Sequence, residues 1–119
     1  MPVKSVVSIV RAENDVPAAV AQAMESAGWR DCITAGAHVA VKPNLGWDLF
    51  LPGAVTSPWV LQGVITTLGD RAGKITVVES DQVLVNCEKA ARRAGVDRVW
   101  KDSEGVEWLN MSKAPQRRV

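Results

Sequence analysis

The stretch Val39-Ala40-Val41-Lys42-Pro43-Asn44-Leu45-Gly46-Trp47 decides the fold of this 119-residue chain. It begins as an apolar, β-branched run, which is typical of a strand covered on both faces. Pro43 then ends the strand, because proline has no N–H group to donate to a neighbouring strand. We therefore predict a strand over residues 38–42 whose carboxyl end opens into a loop with a cation, an amide and an indole.

The same β-branched pattern recurs three times, so the sequence predicts further strands over residues 3–10, 74–78 and 106–111. Segments with helical spacing of apolar residues lie between the strands, each bounded by a cap residue and a glycine. The predicted helices run from Asn14 or Asp15 to Gly28, from Ser57 to the turn at 70–73, and from Val83 or Asn86 to Ala94. Residues 96–100 fit either a short strand or a helical turn.

Alternating strands and helices predict an α/β domain, a three-layer α/β/α arrangement around a mostly parallel sheet of about four strands with right-handed crossover helices. One domain is expected over residues 1–111, followed by a polar tail at 112–119. A small sheet of this kind leaves its edges open. We therefore expect either a homo-oligomer or a second lobe or subunit that completes the domain.

Composition limits the partners of the chain. Fourteen basic and thirteen acidic residues leave a net charge of +1, so neither nucleic acid nor a membrane surface is an expected partner. No apolar stretch reaches the roughly 20 residues of a membrane span, and no leader pattern is present, which favours a cytoplasmic protein. The two cysteines, Cys32 and Cys87, are expected to be buried thiols in a reducing compartment. Two thiols do not provide an iron–sulfur or structural zinc site, so no cluster is expected on this chain alone.

Polar side chains follow the strands where a parallel sheet binds its ligands, at the carboxyl edge. The candidate ligand-binding residues are Lys42, Asn44, Thr56, Ser57, Glu79 and Ser80. Lys42 and the helix that starts after Ser57 suit a phosphate or carboxylate group. Glu79 and Asp81 are candidates for a Mg²⁺ site or for a general acid and base.

Each of these residues also has a structural interpretation. Lys42 pairs with Glu79 in that reading, Asn44 holds the turn after Pro43, and Ser57 only caps its helix. For His38, at the opposite end of its strand, the structural reading is the stronger one. Among the five tryptophans, Trp47 and Trp59 are expected to line a pocket or an interface, and Trp29, Trp100 and Trp108 to pack in the core or to cover an edge of the sheet.

Several motifs that would define a reaction are missing from the sequence. Neither G-x-G-x-x-G nor G-x-x-x-x-G-K-[ST] is present, so dinucleotide and P-loop nucleotide binding have no sequence support. The sequence also lacks G-x-S-x-G, and it contains a single histidine, which argues against a Ser-His-Asp triad.

The chain resembles the amino-terminal part of the domain of unknown function 362 family. The resemblance rests on residues 39–45, on Pro52-Gly53-Ala54-Val55-Thr56-Ser57-Pro58, on residues 73–80 and on residues 87–96, and in order and spacing it spans about 3–111. It implies a partial or minimal version of a longer domain, and it marks Lys42, Asn44, Thr56, Glu79 and Ser80. Many members are joined to an iron–sulfur segment. A distant likeness to nickel-pincer lactate racemases is an analogy of architecture alone.

These observations leave three hypotheses for function. The first is a domain that binds an anionic small molecule at the carboxyl ends of its strands. The second is a structural or assembly module that forms a homo-oligomer through its open sheet edge. The third is a metal-dependent enzyme acting on a small organic acid, with a site completed by another lobe or subunit.

Overall fold

The computed structural model describes residues 4–49 and 51–118. Within this part of the chain, three strands and five helices alternate as an α/β domain. Their bounds are α1 Val16–Ser26, α2 Trp29–Cys32, β1 His38–Val41, α3 Pro58–Gly69, β2 Lys74–Glu79, α4 Cys87–Ala94, α5 Asp97–Lys101 and β3 Val106–Asn110. The predicted strand start at Val3 and the last tail residue, Val119, lie outside the described residues.

The three strands form one parallel sheet in the order β1-β2-β3. Val77 of β2 lies beside Val41 of β1 on one side and beside Trp108 of β3 on the other. The last five residues of β2 are buried, as expected for the central strand of a small sheet. The predicted α/β class and the parallel sheet are therefore confirmed.

The core lies on one face of the sheet. Helices α3, α4 and α5 contribute Leu61, Ala90 and Trp100 to an apolar cluster that also contains Ile75 and Val77 of β2. Trp100 stacks on Trp108 with ring centroids 4.6 Å apart. On the opposite face the register aligns Ala40, Thr76 and Glu107, and then Val78 and Leu109; of these, Ala40, Glu107 and Leu109 are exposed.

The sheet has three strands in the described residues, whereas the sequence predicts about four. Residues 4–10, most of the first predicted strand, are not part of the sheet. Val6, Val7 and Ile9 are exposed instead. A β-branched pattern indicates that a segment suits a covered strand. It does not show whether a neighbouring strand is available for hydrogen bonding.

The cap residues predicted for the helix starts are closer to the structure than the sides of the helices that were predicted to be buried. Asp15 accepts a hydrogen bond from the N–H of Ala18 at 2.9 Å and begins α1, and Asn86 rather than Val83 begins α4. The ambiguous residues 96–100 contain all but the last residue of the helix α5, which ends at Lys101, and α2 was not anticipated.

The helical spacing of Val60, Val64 and Leu68 predicts that these three residues form the apolar stripe of α3, and this prediction is partly wrong. Val60 lies on the exposed side, whereas Leu61, Ile65 and Leu68 face the core. Leu61 and Ile65 repeat at the same spacing as Val60 and Val64, so spacing alone does not reveal which side of this helix meets the sheet. No helix in the described part of the chain is long and apolar enough to cross a membrane.

Helix α1 packs directly on α3 at Gly63. A Cβ atom at this position would lie 2.8 Å from the Cβ of Val20 and 2.9 Å from the Cα of Pro17. Because Pro17 meets it with backbone, a side chain at residue 63 cannot be accommodated by a rotamer change alone. Gly69 lies in the same helix, and within the described residues no atom is within 4 Å of the equivalent position.

We expect Gly63→Ala to lower the free energy of unfolding by about 1–3 kcal/mol, because the added methyl group forces α1 away from α3. Gly69→Ala is the matched control, and it should be neutral or stabilising by about 0.5–1 kcal/mol because alanine restricts the unfolded chain. Urea unfolding measures both variants. Equal midpoints would contradict the close contact between the two helices.

Candidate functional site

The carboxyl end of β2 is occupied by the buried carboxylate of Glu79, whose side chain is only 3% exposed. Its Oε2 accepts hydrogen bonds from Lys42 Nζ at 2.9 Å and from the Leu45 N–H at 3.4 Å. Its Oε1 accepts one from the Ser80 N–H at 2.9 Å. Glu79 therefore joins the loop after β1 to the end of β2.

Lys42 is half exposed, with 57% of its side chain accessible, and its ammonium group also donates to the carbonyl of Pro43 at 3.4 Å. Since the ammonium is already paired with Glu79, the two residues present almost no net charge to a ligand. The structural reading of Lys42 as the partner of Glu79 is the arrangement observed.

Asn44 and Thr56 close the base of the long loop between β1 and α3. The Asn44 N–H donates to Thr56 Oγ1 at 2.8 Å, and the Thr56 N–H donates back to the Asn44 carbonyl at 2.9 Å. The Asn44 side chain donates to the carbonyl of Ala54 and accepts from the N–H of Gly46. These polar groups shape the loop, so Asn44 holds the turn after Pro43.

Ser57 precedes the first residue of α3 in the cap position, yet its side chain makes no capping hydrogen bond to the described helix. Ser57 is half buried and lines a pocket of about 220 Å³. The pocket is lined by Leu51, Pro52, Gly53, Val55, Thr56, Ser57, Pro58, Trp59 and Ala94. The pocket therefore has an apolar wall and two residues with hydroxyl groups, Thr56 and Ser57, beside the start of α3. The first N–H groups of a helix have no acceptor within the helix.

Asp81 is not among the residues that line this pocket. Its Oδ1 accepts hydrogen bonds from the N–H of Cys87 at 2.9 Å and from the side chain of Asn110 at 3.3 Å, and its own N–H donates to Ser112 Oγ. The hydrogen bonds from the backbone and thiol of Cys87 are the main causes that hold the pKa of Asp81 below its usual range. Asp81 therefore anchors the start of α4 and the end of β3.

The two cysteines have opposite environments. Cys87 is fully buried, and burial together with the neighbouring Asp81 carboxylate raises the pKa of its thiol to about 12. Cys32 is exposed, so the prediction that both thiols are buried is wrong for this residue. Cys32 is the last residue of the short helix α2, and that helix was not recognised from the sequence.

Metal binding gains no geometric support from these positions. In the described ranges, no group of three or more His, Cys, Asp or Glu side chains is arranged around a common ion position. The oxygens of Glu79 and Asp81 accept hydrogen bonds from different groups, and the proposed Mg²⁺ site stays a prediction. One buried and one exposed thiol do not fit an iron–sulfur cluster, which needs three or four converging ligands.

A larger pocket, about 360 Å³, lies at the opposite edge of the sheet. Its lining includes Lys74 and Val106 at the amino ends of β2 and β3, and Gln62 and Thr66 on α3. Lys74 is paired with Glu107 at 2.8 Å, and Gln62 with Thr66 at 3.0 Å. Because these polar groups already have partners, the smaller pocket beside Ser57 is the better candidate for recognition.

Residues 39–119 match a family model described as Domain of unknown function (DUF362). The chain belongs to this family. The matched range begins at the first residue of the sequence stretch that ends at Trp47, and it contains Lys42, Ser57, Glu79 and Asp81. Comparison with curated proteins found no match, and comparison with solved structures found none.

Several contacts at the carboxyl edge of the sheet were not anticipated from the sequence. These are the Leu45 N–H on Glu79, the Asp81–Cys87–Asn110 cluster, and the contribution of Leu51 and Ala94 to the pocket. Gln82 also belongs to this group, because its side-chain amide lies against Gly46. Among the residues that line the pocket, the sequence had marked Thr56 and Ser57 as candidate binding residues and Trp59 as a pocket or interface residue.

We expect Glu79→Gln to lower the free energy of unfolding by about 2 kcal/mol. The amide NH₂ that replaces one oxygen meets N–H or ammonium donors on either side, so at least one hydrogen bond is lost. Glu107→Gln removes an exposed ion pair with Lys74 and should change stability by less than about 0.5 kcal/mol. Urea unfolding compares the two variants, and equal losses would contradict a special role for Glu79.

We expect the thiol of Cys32 to react with an alkylating reagent before the thiol of Cys87. The reaction is run at about pH 8, near the pKa of an ordinary cysteine. Folded chain is expected to label at Cys32 alone, because the Cys87 thiol is buried and its pKa is raised. Unfolded chain should label at both positions, which mass spectrometry resolves. The control Cys32→Ser should take no label while folded, and rapid labelling of that variant would contradict the buried Cys87.

Proposed function

We propose that the chain binds a small molecule with a carboxylate or phosphate group and a short apolar body. The ligand lies in the pocket beside Ser57, at the carboxyl edge of the sheet. The observation that carries this proposal is the pocket of about 220 Å³, in which a Ser57 hydroxyl that does not cap α3 meets an apolar wall. Pockets of drug-sized ligands span roughly 300–1,000 Å³, so the ligand is a small one.

Each part of the ligand has a matching surface in the pocket. The first turn of α3 directs N–H groups and partial positive charge toward an anion, and Thr56 and Ser57 add hydroxyls. Leu51, Val55 and Trp59 provide the apolar contacts. Lys42 has a secondary role in this proposal, because Glu79 already neutralises its charge. Asn44, Glu79 and Ser80 shape the rim that supports the loop. The proposal keeps the cytoplasm as the compartment, consistent with two free thiols.

We expect hexanoate and hexyl phosphate to bind, and hexan-1-ol to bind at least roughly tenfold more weakly, because only the first two carry the anion. Titration followed by NMR gives the Kd and locates the shifted amides at Trp59 and Val60. Ser57→Ala should weaken hexanoate about tenfold through loss of one hydrogen bond to a charged group.

Tryptophan variants provide the matched control for this experiment. Trp59→Ala removes a pocket wall, whereas Trp47→Ala removes an exposed indole that is not among the residues lining the pocket. Only the first should weaken hexanoate. Equal affinities for hexanoate and hexan-1-ol, or equal effects of the two tryptophan variants, would contradict the proposed site.

A second candidate function is assembly of a homo-oligomer through the open sheet edge. The sheet ends at β1 and β3, and Ala40, Glu107 and Leu109 on its outer strands are exposed. An unpaired edge is a template for another strand. In this proposal a second copy supplies what the described chain does not have in its own sheet, namely the fourth strand and the second covering layer.

A further inference from the structure

Residues 4–11, here called the N-terminal segment, have the composition of a buried strand and the environment of a surface loop. Val6 is 65% exposed, Val7 83% and Ile9 92%. The segment contains Val-Val-Ser-Ile-Val between two cations, so apolar side chains point to both of its faces. A strand with that pattern is stable only where a sheet neighbour and covering side chains are available.

The chain itself contains the complementary surface. Strand β3 is paired with β2 on one side only, and Leu109 on its open face is 40% exposed. The Asn110 carbonyl at the end of β3 accepts a hydrogen bond from the Lys113 N–H in the following turn, and no other hydrogen bond from elsewhere in residues 4–49 and 51–118 reaches the outer backbone of β3. An apolar segment that needs a sheet neighbour therefore coexists with a sheet edge that needs a strand.

Charge selects β3 over β1 as the receiving edge. Lys4 and Arg11 bound the N-terminal segment, and the acidic residues Glu104 and Glu107 lie just before and within β3. In the single chain Arg11 is paired with Glu13 and Glu107 with Lys74, and opening such exposed pairs costs little. The β1 edge, His38–Val41, contains no acidic residue that could receive the same cations. Whether the segment runs parallel or antiparallel to β3, one of its terminal cations meets this acidic pair.

We propose that two copies of this chain form a symmetric dimer in which the N-terminal segment of each copy adds to β3 of the other as a fourth strand. This deepens the assembly function proposed above and rests on it. The exchange is reciprocal, so a two-fold axis relates two identical contacts. Doubling the contact lets a short segment approach the roughly 1,000 Å² of total area that a specific interface requires.

The connection to the rest of the fold suits such an exchange. Residues 12–15 are the only link between the N-terminal segment and α1, whose start is held by the Asp15 cap. Because α1 is packed on α3 through Gly63, the segment projects from a fixed point. A short link of this kind favours pairing with a second copy over folding back.

Light scattering of the full chain over a wide concentration range tests the proposal. The wild type is expected to be dimeric at high concentration. Val7→Lys and Ile9→Lys should each raise the dimer Kd at least roughly tenfold. Both residues are exposed in the single chain, so these variants remain folded. Val83→Lys makes the same chemical change at a position that is 100% exposed outside the segment, and it should leave the Kd unchanged.

Hydrogen exchange identifies the edge. In the dimer, amides of residues 4–11 and of β3 should exchange more slowly than in the dilute monomer, and Glu107→Lys should weaken the dimer. A strictly monomeric wild type overturns both assembly and the exchange. A dimer that resists Val7→Lys, or one that protects β1 in place of β3, overturns the strand exchange while leaving assembly through another surface. Hexanoate binding is independent of all these outcomes.

Discussion

The buried carboxylate of Glu79 is the interaction on which the candidate site depends. It lies at the end of the central strand, where a charged group is stable only if donors surround it. Lys42 and the N–H groups of Leu45 and Ser80 supply those donors. The first two residues follow β1 in the chain, and Ser80 follows β2. The carboxylate therefore fixes where the chain leaves β1 and where it leaves β2, and so fixes the shape of the edge between them.

This use of Glu79 and Lys42 changes the chemistry available at the edge. Two residues that look like an acid and a cation in the sequence neutralise each other in the fold, and neither is left as a strong charge for a ligand. The loop beyond them is closed by Asn44 and Thr56. The function we propose therefore places recognition at the start of α3, beside the pocket that Ser57 and Trp59 line.

A second constraint comes from the one-sided core. The helices contribute to a cluster on one face of a three-stranded sheet, while residues on the outer strands of the other face stay exposed. Both edges of the sheet are open, and the N-terminal segment has the sequence of a strand without a strand beside it. In the dimer we propose, the N-terminal segment of one copy pairs with the open edge of the sheet in the other copy, so both are buried by groups that the chain already has.

The sequence by itself determined the three strands and three of the helix starts, in their order along the chain, but it did not reveal α2 or the absence of residues 4–10 from the sheet. β-branched runs predicted β1, β2 and β3 to within two residues, and Asp15, Ser57 and Asn86 marked helix starts, because strand propensity and capping are local effects. The DUF362 match over residues 39–119 agrees with the resemblance noted there. The pairing of Lys42 with Glu79 was foreseen as an alternative, since both follow neighbouring parallel strands.

The tertiary structure decided the rest. Which side of α3 meets the sheet, why Cys87 is buried but Cys32 is not, and where Asp81 directs its carboxylate all depend on neighbours distant in sequence. The environment of the N-terminal segment also depends on the tertiary structure. Its sequence pattern is that of a buried strand, but the sheet of the described residues contains only the three strands β1, β2 and β3. Local sequence records what environment a residue suits, and only packing determines whether that environment exists.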